Sequence, residues 1–123
     1  MGQPDDAARV HHMLQAARNA LRLVEGRTRA DLDLDMMLGL SLWKLLEIIG
    51  EAASRVTPQL RARHRHIPWQ IAADTRNRLT HGYDTVDYAV IWSTVSTDLP
   101  ALIPDLEAVL KELEDPTAQP ETS

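Results

Sequence analysis

The sequence predicts an all-α domain, an antiparallel bundle of four to five helices. Three observations predict it. Apolar residues recur at three- and four-residue spacing over long stretches. No segment reads convincingly as a strand, and no internal repeat is visible. Gly26, Thr57-Pro58, Pro68 and Gly82 punctuate the periodic stretches where helices would begin or end. At 123 residues with 44% hydrophobic content, the chain holds one domain with a modest core. Helical domains of this size often enlarge such a core by pairing.

The elements follow in order. Asp5 and Asp6 suit the positive end of a first helix. Val10, Met13, Leu14, Ala17, Ala20, Leu21 and Val24 give its apolar stripe, and Gly26 its stop. His11 and His12 are adjacent, so they point to different faces and are read as solvated rather than as metal ligands. Thr28 to Asp35 is a polar connection. Asp31, Asp33 and Asp35 suggest a carboxylate pair only if a strand aligns them; on this chain they are expected to decorate the start of the next helix.

A second helix is expected over Leu32 to Val56. Met36, Met37, Leu40, Trp43, Leu45, Leu46, Ile49 and Ala53 form its apolar face. Gly39, Gly50 and Ala52-Ala53-Ser54 permit close helix approach. Glu51 sits among residues suited to burial, where a carboxylate needs a partner. It is a candidate supporting residue for Arg76 or Arg55, set against the plain alternative of a solvent-facing glutamate. Thr57-Pro58 ends this helix, and Arg61-Ala62-Arg63-His64-Arg65-His66 follows as a connection. Pro68 can open a third helix in its first turn, with Trp69, Ile71, Ala72 and Leu79 facing the core and Gly82 as its left-handed cap. Thr85-Val86-Asp87 opens the last helical stretch, whose apolar stripe runs from Val90 to Leu113. Pro100 inside it predicts a kink or break at Ser96 to Leu99, and Pro104 a second disturbance. The helical domain is thus residues 1–114; the tail 115–123 lacks an apolar stripe and is expected to be disordered.

Cysteine is absent, which excludes disulfides, a thiol nucleophile and thiolate metal sites and suits a cytoplasmic protein. No signal peptide is recognised, and the most apolar stretch is interrupted by Lys44 and Glu47, so no membrane span is expected. The net charge of −5 hides an uneven distribution. From Arg55 to Arg78 there are six arginines and one aspartate, a segment of +5 that leaves −10 for the rest. Such a basic island can meet a polyanion or merely balance acidic neighbours. Arg61, Arg63, Arg65 and Arg78 are its candidate RNA-binding residues.

Reactive groups are densest in Arg76-Asn77-Arg78-Leu79-Thr80-His81-Gly82-Tyr83. Arginine offers a planar, permanent charge to a phosphate. Histidine titrates near neutrality and can take a proton from a ribose 2′-OH or return one to a leaving 5′-oxygen. On an ideal helix, residues five apart differ by about 140° and about 7.5 Å. Arg76 and His81 therefore meet only if the helix ends near Thr80 or if two chains complete one site. Asn77 can orient a phosphate or ribose, and Tyr83 can stack or hydrogen-bond. A bare helix end, capped by Asn77, His81 and Gly82 with Tyr83 on the core, explains the same spacing.

This stretch resembles the signature of the HEPN superfamily, and of HepT-like proteins within it. The likeness also includes Leu46-Glu47-Ile48-Ile49-Gly50-Glu51-Ala52-Ala53, Ile67-Pro68-Trp69 and Val86-Asp87, Ile91-Trp92, Leu99-Pro100, in order and at similar spacing. The resemblance implies a homodimeric helical-bundle ribonuclease, the toxin of a toxin–antitoxin pair that needs no metal or other cofactor. It implies catalytic roles for Arg76 and His81, with Asn77 assisting. It further implies a minimal nucleotidyltransferase partner, the antitoxin, that silences the toxin by adding AMP to Tyr83. Asp74 and Arg78 stand outside the signature. The competing expectation is a non-catalytic module that binds the nucleotidyltransferase or a nucleotide through the same surface.

Overall fold

The structure is a computed structural model that describes residues 5–75 and 86–115. Among these residues the predicted all-α bundle is found, built from three long helices and several short ones. The long ones are α1 (Asp6–Val24), α3 (Met36–Ser54) and α7 (Leu99–Glu114). The short ones are α2 (Asp31–Leu34), α4 (Pro58–Arg63), α5 (Trp69–Ala73) and α6 (Tyr88–Ser93). A π-helical turn, Thr94–Asp98, joins α6 to α7.

Helix α1 lies between α3 and α7, and its buried residues Val10, Met13, Leu14, Ala17 and Ala20 all belong to the predicted stripe. Ala16 joins them. Alanines on this face bring the neighbouring backbones close. Asp5 caps α1 by accepting from the Ala8 amide at 3.0 Å. Gly26 follows with φ of 74°, the left-handed conformation in which glycine carries no steric penalty. From α3 come Leu42, Leu46, Ile49 and Ala53, and from α7 Leu99, Leu106 and Val109, all at most 3% exposed. Asp6 then fixes the corner after α3. Its carboxylate accepts from the Thr57 amide at 3.0 Å and from the Thr57 hydroxyl at 2.6 Å.

The expected helix from Leu32 to Val56 is two helices. The backbone at Asp35 is extended, with φ −122° and ψ 94°, and its side chain accepts from the Leu38 amide at 3.1 Å. That backbone hydrogen bond, with help from the Arg27 guanidinium 3.3 Å away, holds the Asp35 carboxyl below its ordinary range. Asp35 therefore caps α3, which is the role expected of these acids, while Asp31 accepts from the Thr28 amide at 2.7 Å and closes the preceding turn.

The apolar face of α3 also needs correcting. Met36, Met37 and Leu40 are 69%, 72% and 42% exposed, whereas Leu38, Leu42, Leu46, Ile49 and Ala53 form the buried line. Leu40 stands about 200° around the helix from Leu38. The stretch is apolar on nearly every side, so its period singles out no face. Gly39 is buried because α6 crosses there. A Cβ at Gly39 would lie 2.8 Å from Cε1 of Tyr88.

Two further expectations change. The Thr57-Pro58 pair ends one helix and starts another: Thr57 accepts from the Leu60 amide at 3.3 Å, and Pro58 opens α4. Half of the arginine run is therefore helical. In α5, Trp69 is buried as expected, but Ile71 is 59% exposed, because two residues of helical rotation carry it to the opposite side. Where a kink or break was expected over Ser96 to Leu99, the helical stretch continues through the π turn, and Pro100 takes a first-turn position in α7. Pro104 sits inside α7 without ending it. Expectations for Leu79, Gly82 and residues 116–123 fall outside the described residues.

Candidate active site

Arg76, Asn77, Arg78, His81 and Tyr83 lie outside the described residues. The described chain leads to them through α5 and Thr75, and takes up again at Val86 and Asp87. Asp87 caps α6, accepting from the Val90 amide at 3.1 Å. Thr75 is buried, and its hydroxyl donates to the Ile71 carbonyl at 3.1 Å.

The arginine island divides by what each guanidinium touches. Arg61 faces inward, donating to the Ala53 carbonyl at 2.6 Å and to Oε1 of Gln70 at 3.2 Å. It satisfies a carbonyl at the end of α3 and ties that end to α5. Arg63 pairs with Glu112 of α7, and Nε2 of His64 lies 3.2 Å from the same carboxylate. Trp69 pins the α4–α5 corner by donating to the His64 carbonyl at 3.0 Å. Arg65 is exposed. Of the three described candidates for RNA, Arg61 and Arg63 are thus engaged within the fold, and Arg65 projects from it.

Glu51 accepts from Nε of Arg55 at 2.8 Å, and its side chain is 46% exposed. Arg55 was one of the two expected partners, and the exposure agrees with the solvent-facing alternative. The pair borders a cavity of about 420 Å³ between α1 and α3, where Arg9, His12 and Lys44 also line the wall.

Sequence reasoning missed a larger cavity. It measures about 810 Å³ and lies among α3, α5, the π turn and α7. Leu46, Ile49, Ile71, Ala72, Leu99 and Leu102 supply apolar wall, while Asp74, Asp98 and Asp105 supply three carboxylates. His66 joins them, with Nε2 3.8 Å from Asp105. The only sequence signal was indirect: Pro100 foretold the irregular turn that bounds the cavity, but not the space beside it.

Among the described residues, no three His, Asp or Glu side chains come together in a way that could hold a metal ion. Among the same residues, no helix is long and apolar enough to cross a membrane.

Comparison with known proteins gives the chain its relatives. Residues 13–112 match the family described as "Ribonuclease HepT-like". The chain is 34% identical to "Probable ribonuclease HepT" of Thermococcus cleftensis over 102 residues, covering 80% of this chain and 93% of that one. It is also 34% identical to "Putative RNase TTE0752" of Caldanaerobacter subterraneus subsp. tengcongensis over 104 residues, 85% of this chain and 89% of that one. No solved structure matches it. The match runs from within α1 to near the end of α7 and takes in α3, the arginine island and the Arg76 to Tyr83 stretch, and on that extent the chain belongs to the HepT-like ribonuclease family.

Proposed function

We propose that this protein is a metal-independent endoribonuclease, the toxin of a toxin–antitoxin pair, that cuts RNA with Arg76 and His81. One observation carries the reading: the HepT-like match extends over residues 13–112, a range that includes the one stretch dense in phosphate-binding and proton-transferring groups. Arg76 holds the scissile phosphate with a permanent, bidentate charge. The ribose 2′-oxygen attacks phosphorus as its proton passes to a neutral imidazole. The 5′-oxygen leaves and takes a proton from an imidazolium. The products are a 2′,3′-cyclic phosphate and a free 5′-hydroxyl. A homodimer would supply His81 twice, once as base and once as acid, and Asn77 would orient the phosphate or ribose.

Tyr83 provides the control. Transfer of AMP from ATP to its phenol by a nucleotidyltransferase partner adds bulk and negative charge two residues from His81, where an RNA phosphate must sit.

The test is intact mass and RNA cleavage of protein made with and without its neighbouring gene. Unmodified protein should cut RNA in EDTA, and an inactive form should be heavier by whole AMP units of roughly 329 Da each, the mass of the charged group transferred. His81→Ala and Arg76→Ala should each lower cleavage by roughly 10²- to 10⁴-fold, the usual contribution of a positioned acid–base group, and leave melting unchanged. Tyr83→Phe should cut RNA and escape the mass increase. Clean, unmodified protein that cuts no RNA would leave a docking module in place of an enzyme.

A further inference from the structure

We propose that the 810 Å³ cavity beside α5 is a seat for one unstacked base of the RNA, with guanine the best fit, read by Thr94 and Asp98. The proposal rests on the ribonuclease reading above and adds the part of the substrate that selects the cut.

Four observations lead there. The first is place. Asp74 and Thr75 line the cavity, and Thr75 immediately precedes Arg76 in the chain. The second is an unmet hydroxyl. Thr94 is 6% exposed and borders the cavity, yet its Oγ1 has no hydrogen-bond partner. A buried hydroxyl left without a partner is costly, and a ligand group that meets it recovers the loss. The third is the backbone. Thr94, Thr97 and Asp98 reach the cavity from a π turn, an irregularity that concentrates at functional positions. The fourth is the lining. Leu46, Ile49, Ile71 and Leu99 offer apolar contact for the faces of a ring, and the volume lies within the roughly 300–1,000 Å³ of ligand pockets.

Charge then selects which part of RNA enters. Asp74, Asp98 and Asp105 share the lining with one histidine, His66. Phosphate oxygens only accept hydrogen bonds and carry negative charge, so these carboxylates repel them. A base edge carries N–H donors, which carboxylates accept. Asp74 already accepts from Nε2 of Gln70 at 2.9 Å, and Asp105 lies toward His66. Asp98 has no side-chain partner among the described residues and is exposed at the cavity edge. Guanine presents adjacent N1–H and N2–H donors, a fork that fits the two oxygens of one carboxylate. The backbone stays outside the cavity. An edge-on reading of this kind needs an unpaired base, so the substrate is single-stranded RNA or a loop.

The experiment uses full-length protein and single-stranded oligouridylates that each carry one guanosine, adenosine or cytidine. Wild type should cut at the guanosine roughly ten- to a hundredfold faster than elsewhere, the discrimination that one forked contact gives. Asp98→Asn, which replaces one acceptor oxygen with a donor, should erase most of that preference, so that the guanosine oligomer is cut at close to the rate of plain oligouridylate. Thr94→Val keeps the shape and removes the unmet hydroxyl. It should melt at or above the wild-type temperature and still lose preference. A preference profile identical to wild type in both variants would overturn the proposal.

If wild type cuts no RNA, titration with free guanosine decides separately. Saturable binding weakened in Asp98→Asn keeps the seat, and the absence of binding removes it. Ile71→Glu guards against a different occupant. If it converts a dimer to a monomer in light scattering and leaves base preference intact, the cavity is an interface between copies and the base proposal fails.

Discussion

The two ends of α3 live under different rules. Along its length α3 packs on α1, and α1 packs on α7, in a frame of close-fitting apolar side chains where Met13, Leu42 and Leu106 have no exposed surface. Past its end the chain breaks into α4, α5 and α6, and polar contacts take over. Arg61 holds a carbonyl, Trp69 holds another, Asp6 holds Thr57, and Glu112 holds both Arg63 and His64. The difference teaches how a small helical protein can host a site. The frame is specified by shape and is indifferent to individual charges. The corner is specified by individual hydrogen bonds, which leaves room for a cavity and for the unpartnered Thr94 hydroxyl at its border.

Mutations should separate the two. Leu106→Ala removes a wholly buried side chain from the frame and should cost roughly 2–5 kcal/mol of stability, as a core truncation does. Urea unfolding measures it, and a loss under 1 kcal/mol would mean that α7 is held mainly by its polar contacts. Thr57→Ala removes the cap of α4 and a hydrogen bond to a carboxylate, together about 2 kcal/mol. Its effect should be local, with faster amide exchange in α4 than in α1; uniform acceleration would merge corner and frame into one unit.

Gly39→Ala should be milder. The new methyl presses on the Tyr88 ring, an overpacking of roughly 1–3 kcal/mol. Better helix propensity returns about 1 kcal/mol of it. The net is a small loss, and a gain in melting temperature would show that the ring moves freely.

The smallest effect is one of pH. The folded Asp35 carboxyl is held below its ordinary range, so its contribution is present above the unfolded value near 4 and fades as pH falls through the lower folded value. Wild type should therefore exceed Asp35→Ala in urea midpoint at pH 6, and the gap should narrow toward pH 3. A gap that widens in acid would reverse the assignment.

Helices whose two sides differ in character were readable from the sequence. The stripe of α1 stands against polar neighbours, so period and caps agree, and Pro100 announced the irregular turn before α7. The face of α3 was not readable, because Met36 and Leu38 are equally apolar, yet Leu38 is covered and Met36 is exposed. Ile71 misled for the same reason. Helix α4 was hidden because Thr57 and Pro58 are a stop for one helix and a start for the next. The residues of the candidate site stand in the sequence as a dense run of reactive groups, and they lie outside the described residues. The cavity among α3, α5, the π turn and α7 was not legible, since its walls come from residues as far apart in the chain as Leu46 and Asp105.

The packing of α1 against α7 has a consequence for how such an enzyme is made. A growing chain meets the ribosome exit with α1 first, yet the surface that α1 must cover belongs to Leu102, Leu106 and Val109, translated some eighty residues later. Until α7 emerges the frame stays open and the corner it braces through Glu112 lacks one of its walls. A chain halted before α7 therefore lacks one of the two long helices on which α1 packs, and its bundle is unfinished.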